Sequence, residues 1–203
     1  MTQAQRHDSA NRTMANDILL SFLAGDKSVL DIGCGRGDLL DELPDDVRAV
    51  GVDIDVEAVV AGISRGLDVV MLDASSVLSF FPDDSFDTAV LNRTLEVLSR
   101  PDVGLSETLR VARRAICFVP NFGHWRVRLQ LFSGLMPRTP ALPYEWFDTP
   151  NIHHTTLKDF PRLVERIGGV IDSAYEVVGR RVRRVGALSN LRSQWGCFIV
   201  RRA

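Results

Sequence analysis

The chain has 203 residues, of which 45% are hydrophobic and 25% charged, which is enough apolar content for one sizeable core. Its formal net charge of -2 excludes a generally basic nucleic-acid binder. The polar amino terminus resembles no signal peptide, no apolar run is long enough for a membrane span, and three widely spaced cysteines form no zinc or disulfide motif. We therefore expect a cytoplasmic protein without nucleic-acid, membrane or metal partners.

The first 27 residues are predicted to form a cap helix on a single domain spanning residues 1–203. Apolar residues recur at helical spacing after Asn16, and Gly25 ends the pattern. These apolar residues are Ile18, Leu19, Phe22 and Leu23. The polar residues before Asn16 are expected to fray.

Strand-like and helix-like segments then alternate. The predicted strands are Ser28–Ile32, Ala49–Asp53, Val69–Leu72, Phe86–Leu91 and Ala115–Val119. The predicted helices are Asp38–Leu43, Val56–Arg65, a short one near Val77–Phe81, and one from Pro101 to Ala112. Because the strands are short continuous apolar runs, we expect helices on both faces of a parallel sheet.

The stretch from Asn121 to His154 breaks this alternation, and four prolines exclude a long helix in its second half. We call residues 121–154 the aromatic insertion. A helix that starts at the capping-box-like residues 156–159 and runs to about Ile167 follows, and then two strands, about Val170–Val178 and Trp195–Arg201. This order predicts an α/β fold with a doubly wound, Rossmann-like sheet, mostly parallel, whose last strand is antiparallel.

The most informative motif is Val-Leu-Asp-Ile-Gly-Cys-Gly-Arg-Gly at residues 29–37. The dinucleotide fingerprint needs a sixth-place glycine, where this chain has Asp38, and the Gly-Lys-Ser/Thr of a phosphate-binding loop is absent. The motif resembles motif I of class I S-adenosylmethionine-dependent methyltransferases. A glycine-rich turn after a strand is also common in α/β proteins generally, but Asp53 at the end of the second strand favours the methyltransferase interpretation.

The two oxygens of Asp53 suit a pair of ribose hydroxyls. The resemblance implies that Asp31 meets the cofactor's ammonium group, although it can also order the loop or cap a helix. It also implies that an acid at Asp73 meets the adenine amino group, unless Asp73 is only a turn residue. The predicted cofactor site comprises Asp31, Gly33, Cys34, Gly35, Gly37, Asp53, Ile54, Asp73, Ala74 and Asn92.

Longer strings resemble the methionine biosynthesis protein MetW family over roughly residues 28–200. They are Pro-Asn-Phe-Gly-His-Trp-Arg-Val-Arg-Leu-Gln at 120–130, Leu-Pro-Tyr-Glu-Trp-Phe-Asp-Thr-Pro-Asn-Ile-His at 142–153, and shorter strings at 91–95 and 110–115. The resemblance implies a methyltransferase-like fold that binds S-adenosylmethionine or S-adenosylhomocysteine and pairs with a homoserine O-acyltransferase, which it activates or completes. Arg36 and Arg93 depart from the family's usual residues and add positive charge at the mouth of the site.

The aromatic insertion holds six of the fifteen aromatic residues of the chain, which indicates a lid or a docking surface. Within it, the neighbouring residues His124, Trp125, Arg126 and Arg128 can hold an anionic group or pack the segment onto the sheet. His153 can serve as a general base or as a hydrogen-bonding anchor. The substrate or partner candidates are His124, Trp125, Arg126, Arg128, Tyr144, Trp146 and His153. The arginines of residues 180–184 are expected at a solvated hairpin tip or at an acidic partner's docking face.

Three functions remain open from the sequence. The main hypothesis is a cofactor-binding accessory subunit of methionine biosynthesis that contacts its acyltransferase through residues 121–151. The alternative is an S-adenosylmethionine-dependent methyltransferase that acts on a small anionic acceptor. The third is a scaffold without a cofactor, which the intact glycine loop disfavours.

Overall fold

Eight strands form one mixed sheet in the computed structural model, which describes residues 3–74, 78 and 80–203. The strands are β1 Ser28–Ile32, β2 Arg48–Asp53, β3 Val69–Met71, β4 Phe86–Asn92, β5 Ala112–Pro120, β6 Gly169–Val178, β7 Arg181–Arg184 and β8 Trp195–Arg202. The helices of the described residues are α1 Gln3–Leu23, α2 Asp38–Asp41, α3 Val56–Ser64, α4 Pro101–Val111, α5 Trp125–Phe132, α6 Phe160–Arg166 and α7 Ser189–Arg192.

The strand order is β3-β2-β1-β4-β5-β8-β6-β7. The first five strands in this order pair in parallel, and β8 pairs antiparallel to both β5 and β6. The predicted fold class, mostly parallel with an antiparallel last strand, is therefore confirmed. The order reverses at β1, which has β2 on one side and β4 on the other, and in such sheets ligands bind beyond the carboxyl ends of the strands at this point.

The central strands are buried on both faces, as their apolar runs predict. Successive residues of a strand point to opposite faces. Leu91 and Cys117 therefore belong to one apolar cluster, whereas their neighbours Val90 and Ile116 belong to another. This two-sided burial fixes the carboxyl-terminal tips of β1 and β4 as rigid supports for the residues that follow them.

The prediction that the residues before Asn16 fray is wrong. α1 is continuous from Gln3 to Leu23, and its first half is held by a tertiary contact in which Arg93 donates from Nη2 to the Asp8 carboxylate at 2.5 Å. A partner 85 positions away in the chain leaves no trace in local apolar periodicity, so the sequence pattern indicated only the second half of the helix.

The carboxyl-terminal half contains three elements that the sequence did not predict, namely α5 in the aromatic insertion, α7 before β8, and β7. β7 pairs antiparallel with the end of β6, so that Arg180 lies in the exposed turn of this hairpin, whereas Arg181, Arg183 and Arg184 lie on its edge strand. The short helix predicted near Val77–Phe81 lies largely outside the described residues. No helix among the described residues combines the length and the apolarity needed to cross a bilayer.

Candidate functional site

A crevice of 690 Å³ opens where β1, β2 and β4 end, within the range of about 300–1,000 Å³ typical of ligand sites. Nine of the ten predicted cofactor residues line it. The exception is Gly37, which precedes α2 with a positive φ of 79° and lies against Leu67. The residues that line it at and beyond the ends of β1, β2, β3 and β4 are Asp31, Gly33, Cys34, Gly35, Arg36, Asp53, Ile54, Asp55, Leu72, Asp73, Ala74, Asn92, Arg93 and Thr94.

The turn after β1 brings the backbone close to the crevice. Gly33 has a positive φ of 75°, and a Cβ on it would lie 2.6 Å from Oγ1 of Thr94. The Gly33 and Cys34 amides donate to the carbonyl of Val52, at 2.7 and 3.1 Å. Since a side chain fits neither the conformation nor the space at Gly33, the loop presents bare backbone to a ligand.

Asp53 connects the loop after β1 with the end of β2. Its Oδ2 accepts from the Gly35 amide at 2.6 Å and its Oδ1 accepts from the Asp55 amide at 2.9 Å. Each carboxylate oxygen has a second lone pair. Asp53 therefore orders the glycine loop and still offers two acceptor positions at the crevice wall.

Asp31 is the most perturbed carboxyl group of the crevice. It is 3% exposed, and its Oδ1 has no hydrogen-bond partner among the described residues. Burial, and secondly the charge of Asp53, raise the pKa of Asp31 to about 7. A buried acceptor without a donor is costly, so this side of the crevice is suited to a donor or a cation supplied by a ligand.

The charges lining the crevice favour a cation. Six carboxylates and three guanidinium groups line it, and Asp8 and Arg93 form an ion pair with each other. An excess of negative charge along the walls of a cleft attracts cationic groups. Arg36 and Arg93 do line the mouth as the sequence indicated, but the charge of Arg93 is largely balanced by Asp8.

The ends of β3 and β4 supply the other predicted residues. Asp73 is exposed and Ala74 is buried just beyond β3. Asn92 donates from Nδ2 to Oδ1 of Asn16 at 3.2 Å, which leaves the buried Oδ1 of Asn92 without a partner among the described residues. Like Asp31, Asn92 thus presents an unsatisfied acceptor beside the crevice.

α1 contributes three crevice residues that sequence reasoning missed, namely Asp8, Arg12 and Asn16. Asp8 accepts from Nη2 of Arg93 at 2.5 Å and from Nε of Arg12 at 3.1 Å. Arg93 itself adopts a φ of +60°, a conformation that side chains rarely take. The only sequence signal was an unexplained run of charged and amide residues ahead of the apolar helix pattern.

Most of the partner candidates lie away from the crevice, on α5 and the loop that follows. Nδ1 of the buried His124 accepts from the Arg126 amide at 3.3 Å and caps α5, and burial followed by Arg126 lowers its pKa. Arg128 donates to the Gly123 carbonyl at 2.7 Å. Trp125 is half exposed, with the Arg126 guanidinium over its ring at 5.2 Å. Nδ1 of His124 and Nε of Arg128 thus make their hydrogen bonds within the insertion itself.

The rest of the aromatic insertion approaches the crevice through one aromatic residue. Tyr144 lines the crevice, and burial and the nearby Asp8 carboxylate raise its pKa. Trp146 lies in an edge contact with Phe147, and both rings are exposed. The His153 amide donates to the Glu96 carbonyl at 3.0 Å, which anchors the end of the insertion to the loop after β4.

A second cavity of 140 Å³ adjoins the crevice, and Tyr144 and Asn151 line both. Its wall combines aromatic, aliphatic and polar residues and includes Phe122, whose ring stacks on that of His154 with centroids 4.4 Å apart. The insertion therefore covers a chamber of mixed polarity next to the crevice and exposes apolar residues on its outer side.

The family model for the methionine biosynthesis protein MetW matches residues 14–200. The bifunctional methionine biosynthesis protein MetXA/MetW of Rhodopirellula baltica is 34% identical over 166 residues, which are 76% of this chain and 27% of that protein. An uncharacterized methyltransferase of Schizosaccharomyces pombe is 30% identical over 59% of this chain and 50% of its own length. The chain thus spans about a quarter of the length of the Rhodopirellula protein and half of the length of the Schizosaccharomyces protein.

Solved structures share the fold. A methyltransferase of Thermotoga maritima, described as a possible histamine N-methyltransferase, superposes with a TM-score of 0.70 at 15% identity, covering 97% of this chain and 91% of its own. The magnesium protoporphyrin IX methyltransferase of Synechocystis, solved with bound S-adenosylhomocysteine, gives a TM-score of 0.68 at 15% identity, covering 100% and 89%. At such identities the likeness establishes the fold alone.

Proposed function

The chain belongs to the methionine biosynthesis protein MetW family, and from that premise we propose that it binds S-adenosylmethionine and serves as the partner subunit of a homoserine O-acyltransferase. One observation carries the cofactor half of this proposal. The bare glycine loop, the ordered carboxylate of Asp53 and the buried, unpartnered oxygen of Asp31 all face the same crevice.

The residues of the crevice fit the chemical groups of S-adenosylmethionine. Asp53 offers paired acceptors suited to the ribose hydroxyls, and Asp31 offers an acceptor suited to the ammonium group. The surplus of carboxylates suits the sulfonium charge. The cofactor would supply an electrophilic methyl group or act as a signal of methionine supply, while Asp53, Asp31 and the loop bind and orient it.

The aromatic insertion supports the partner half of the proposal. Trp125, Leu129 and Phe132 follow each other at helical spacing on α5, and the ring of Phe132 is 91% exposed. Exposed apolar groups of this kind mark protein interaction sites. The name of the Rhodopirellula relative joins MetXA and MetW in one protein, which supports an acyltransferase as the partner of this surface.

The test of the proposal is to mix the purified chain with its cognate homoserine O-acyltransferase, with and without S-adenosylmethionine. We expect a complex in size-exclusion chromatography and a changed rate of homoserine acylation. Separate elution together with an unchanged rate would overturn the partner role and leave the cofactor role to be decided by binding.

A methyltransferase acting on a small acceptor is the second candidate, and the chamber that shares Tyr144 and Asn151 with the crevice favours it. Methyl transfer needs alignment more than acid or base groups. Production of S-adenosylhomocysteine from supplied metabolites, lost in Asp53→Ala, would establish this activity.

The raised pKa of Asp31 predicts that cofactor affinity depends on pH. An ammonium group binds the ionised carboxylate, and with a pKa of about 7 only about a tenth of Asp31 is ionised near pH 6. We expect affinity for S-adenosylmethionine to rise about tenfold between about pH 6 and pH 8 in calorimetric titrations. Asp31→Asn should bind more weakly at the higher pH and lose this pH dependence.

The folding stability contributed by Asp31 in the ligand-free protein should change with pH in the opposite sense and fall as the pH rises. Because the fold raises the pKa of Asp31, the native state holds this proton more tightly than the unfolded chain does. Its contribution to stability is full below the ordinary aspartate pKa and is lost as the pH rises through about 7. Asp31→Asn should therefore unfold at a higher temperature than the wild type near pH 8, and an equal melting temperature there would contradict the assignment.

A further inference from the structure

Arg12 lies at the crevice wall on α1, two residues before the segment that the family model matches. Its side chain is 57% exposed. A Cβ placed on Gly35 would lie 3.3 Å from Nη1 of Arg12, so the guanidinium lies beside the glycine loop. A cation is thus held beside the glycine loop at the crevice wall.

The hydrogen bonding of Arg12 leaves the two terminal nitrogens of its guanidinium group available to a ligand. Nε donates to Oδ2 of Asp8 at 3.1 Å, and Asp8 is in turn held by Arg93, so the side chain is anchored through one nitrogen. Across residues 3–74, 78 and 80–203, no acceptor bonds to Nη1 or Nη2 of Arg12. Two nitrogens with parallel N–H groups are the arrangement that binds a carboxylate.

Asp31 provides the complementary charge at the same loop. Its Oδ1 is buried without a donor, and the Arg12 charge lowers its pKa against the larger effects of burial and Asp53. The two groups therefore share one electrostatic environment. Arg93, in contrast, is already occupied by Asp8 and lies over the Trp195 ring at 5.5 Å.

The unused donor pair of Arg12 on α1 and the unused acceptor of Asp31 at the end of β1 both lie beside the glycine loop, and together they match the two charged groups of an α-amino acid. We infer that Arg12 binds the α-carboxylate of the ligand whose α-ammonium group the proposed function assigns to Asp31, so that the crevice selects adenosyl compounds that carry an intact amino-acid end. This inference rests on the proposed cofactor role and adds a specificity residue to it.

The inference is tested by calorimetry with two probes, S-adenosylhomocysteine and 5′-methylthioadenosine, which lacks the amino-acid end. Arg12→Gln should weaken S-adenosylhomocysteine binding roughly 10- to 100-fold, because charge-assisted hydrogen bonds to the carboxylate are lost. Its affinity for methylthioadenosine should stay within about twofold of the wild type, as only the amino-acid contacts change. Arg6→Gln, the same change of charge on the exposed face of α1, should alter neither affinity.

The possible outcomes separate this inference from the proposal on which it rests. If the wild type binds neither probe, the cofactor role itself fails. If Arg12→Gln weakens both probes equally, Arg12 only holds α1 in place, and the inference is overturned. The inference is also overturned if Arg12→Gln binds S-adenosylhomocysteine normally, or if the selective loss appears in Arg36→Gln instead.

Discussion

Replacing Asp53 by alanine is expected to weaken S-adenosylhomocysteine binding by roughly two to four orders of magnitude. The variant loses two acceptors for the ribose hydroxyls, each hydrogen bond to a carboxylate contributing about 1.5–3 kcal/mol. It also loses the bonds from the Gly35 and Asp55 amides, which order the glycine loop in the free protein. Calorimetric titration measures the affinity, and thermal unfolding checks that the variant remains folded.

Asp172→Ala is the matched control for this variant. Asp172 is a carboxylate on β6 that pairs with Arg201 at 2.8 Å and does not line the crevice. The Asp172→Ala variant should bind S-adenosylhomocysteine with wild-type affinity. Wild-type affinity in Asp53→Ala as well would mean that the ligand, if one binds, does not use the end of β2.

A double replacement of Trp146 and Phe147 by alanine is expected to weaken the acyltransferase complex by about a hundredfold or more. The two rings contact each other edge to face at 5.6 Å and are exposed in the free protein, whereas aromatic residues at the centre of an interface each contribute about 2 kcal/mol or more. The affinity is measured by passing increasing concentrations of the variant over immobilised acyltransferase and recording the amount bound.

Neither ring lines the crevice, so the double variant should bind S-adenosylmethionine as the wild type does. Phe80→Ala removes a ring that is 69% exposed, as Trp146 is, but lies outside the aromatic insertion, and it should leave the complex intact. An unchanged complex in the double variant would exclude this part of the insertion from the interface.

The parallel half of the fold could be predicted from the sequence because the residue patterns that specify its strands are local. The apolar runs of β1, β2 and β4 and the glycine turn after β1 specify their conformation within a few residues, and predicted and observed bounds agree within one residue. β7 was missed because Arg181 to Arg184 have no apolar alternation, and only pairing with β6 makes that segment a strand.

Only part of the candidate site could be predicted from the sequence, because the rest depends on contacts between distant parts of the chain. Asp31 and Asp53 lie at the carboxyl ends of β1 and β2, which must converge in a doubly wound sheet, so their approach could be predicted. Asp8 and Arg12 reach the crevice because α1 is fixed by Arg93, a contact between distant parts of the chain. The aromatic insertion was recognised by composition, but its division into buried and exposed residues depends on tertiary packing around Tyr144 and His124.

Calorimetric titration of the wild-type chain with S-adenosylmethionine near pH 8 tests the proposed cofactor role most directly. We expect one site per chain and a dissociation constant below about 100 μM, corresponding to a binding free energy of more than about 5 kcal/mol. A folded protein that gives neither binding heat nor a thermal shift at about 1 mM ligand would contradict it.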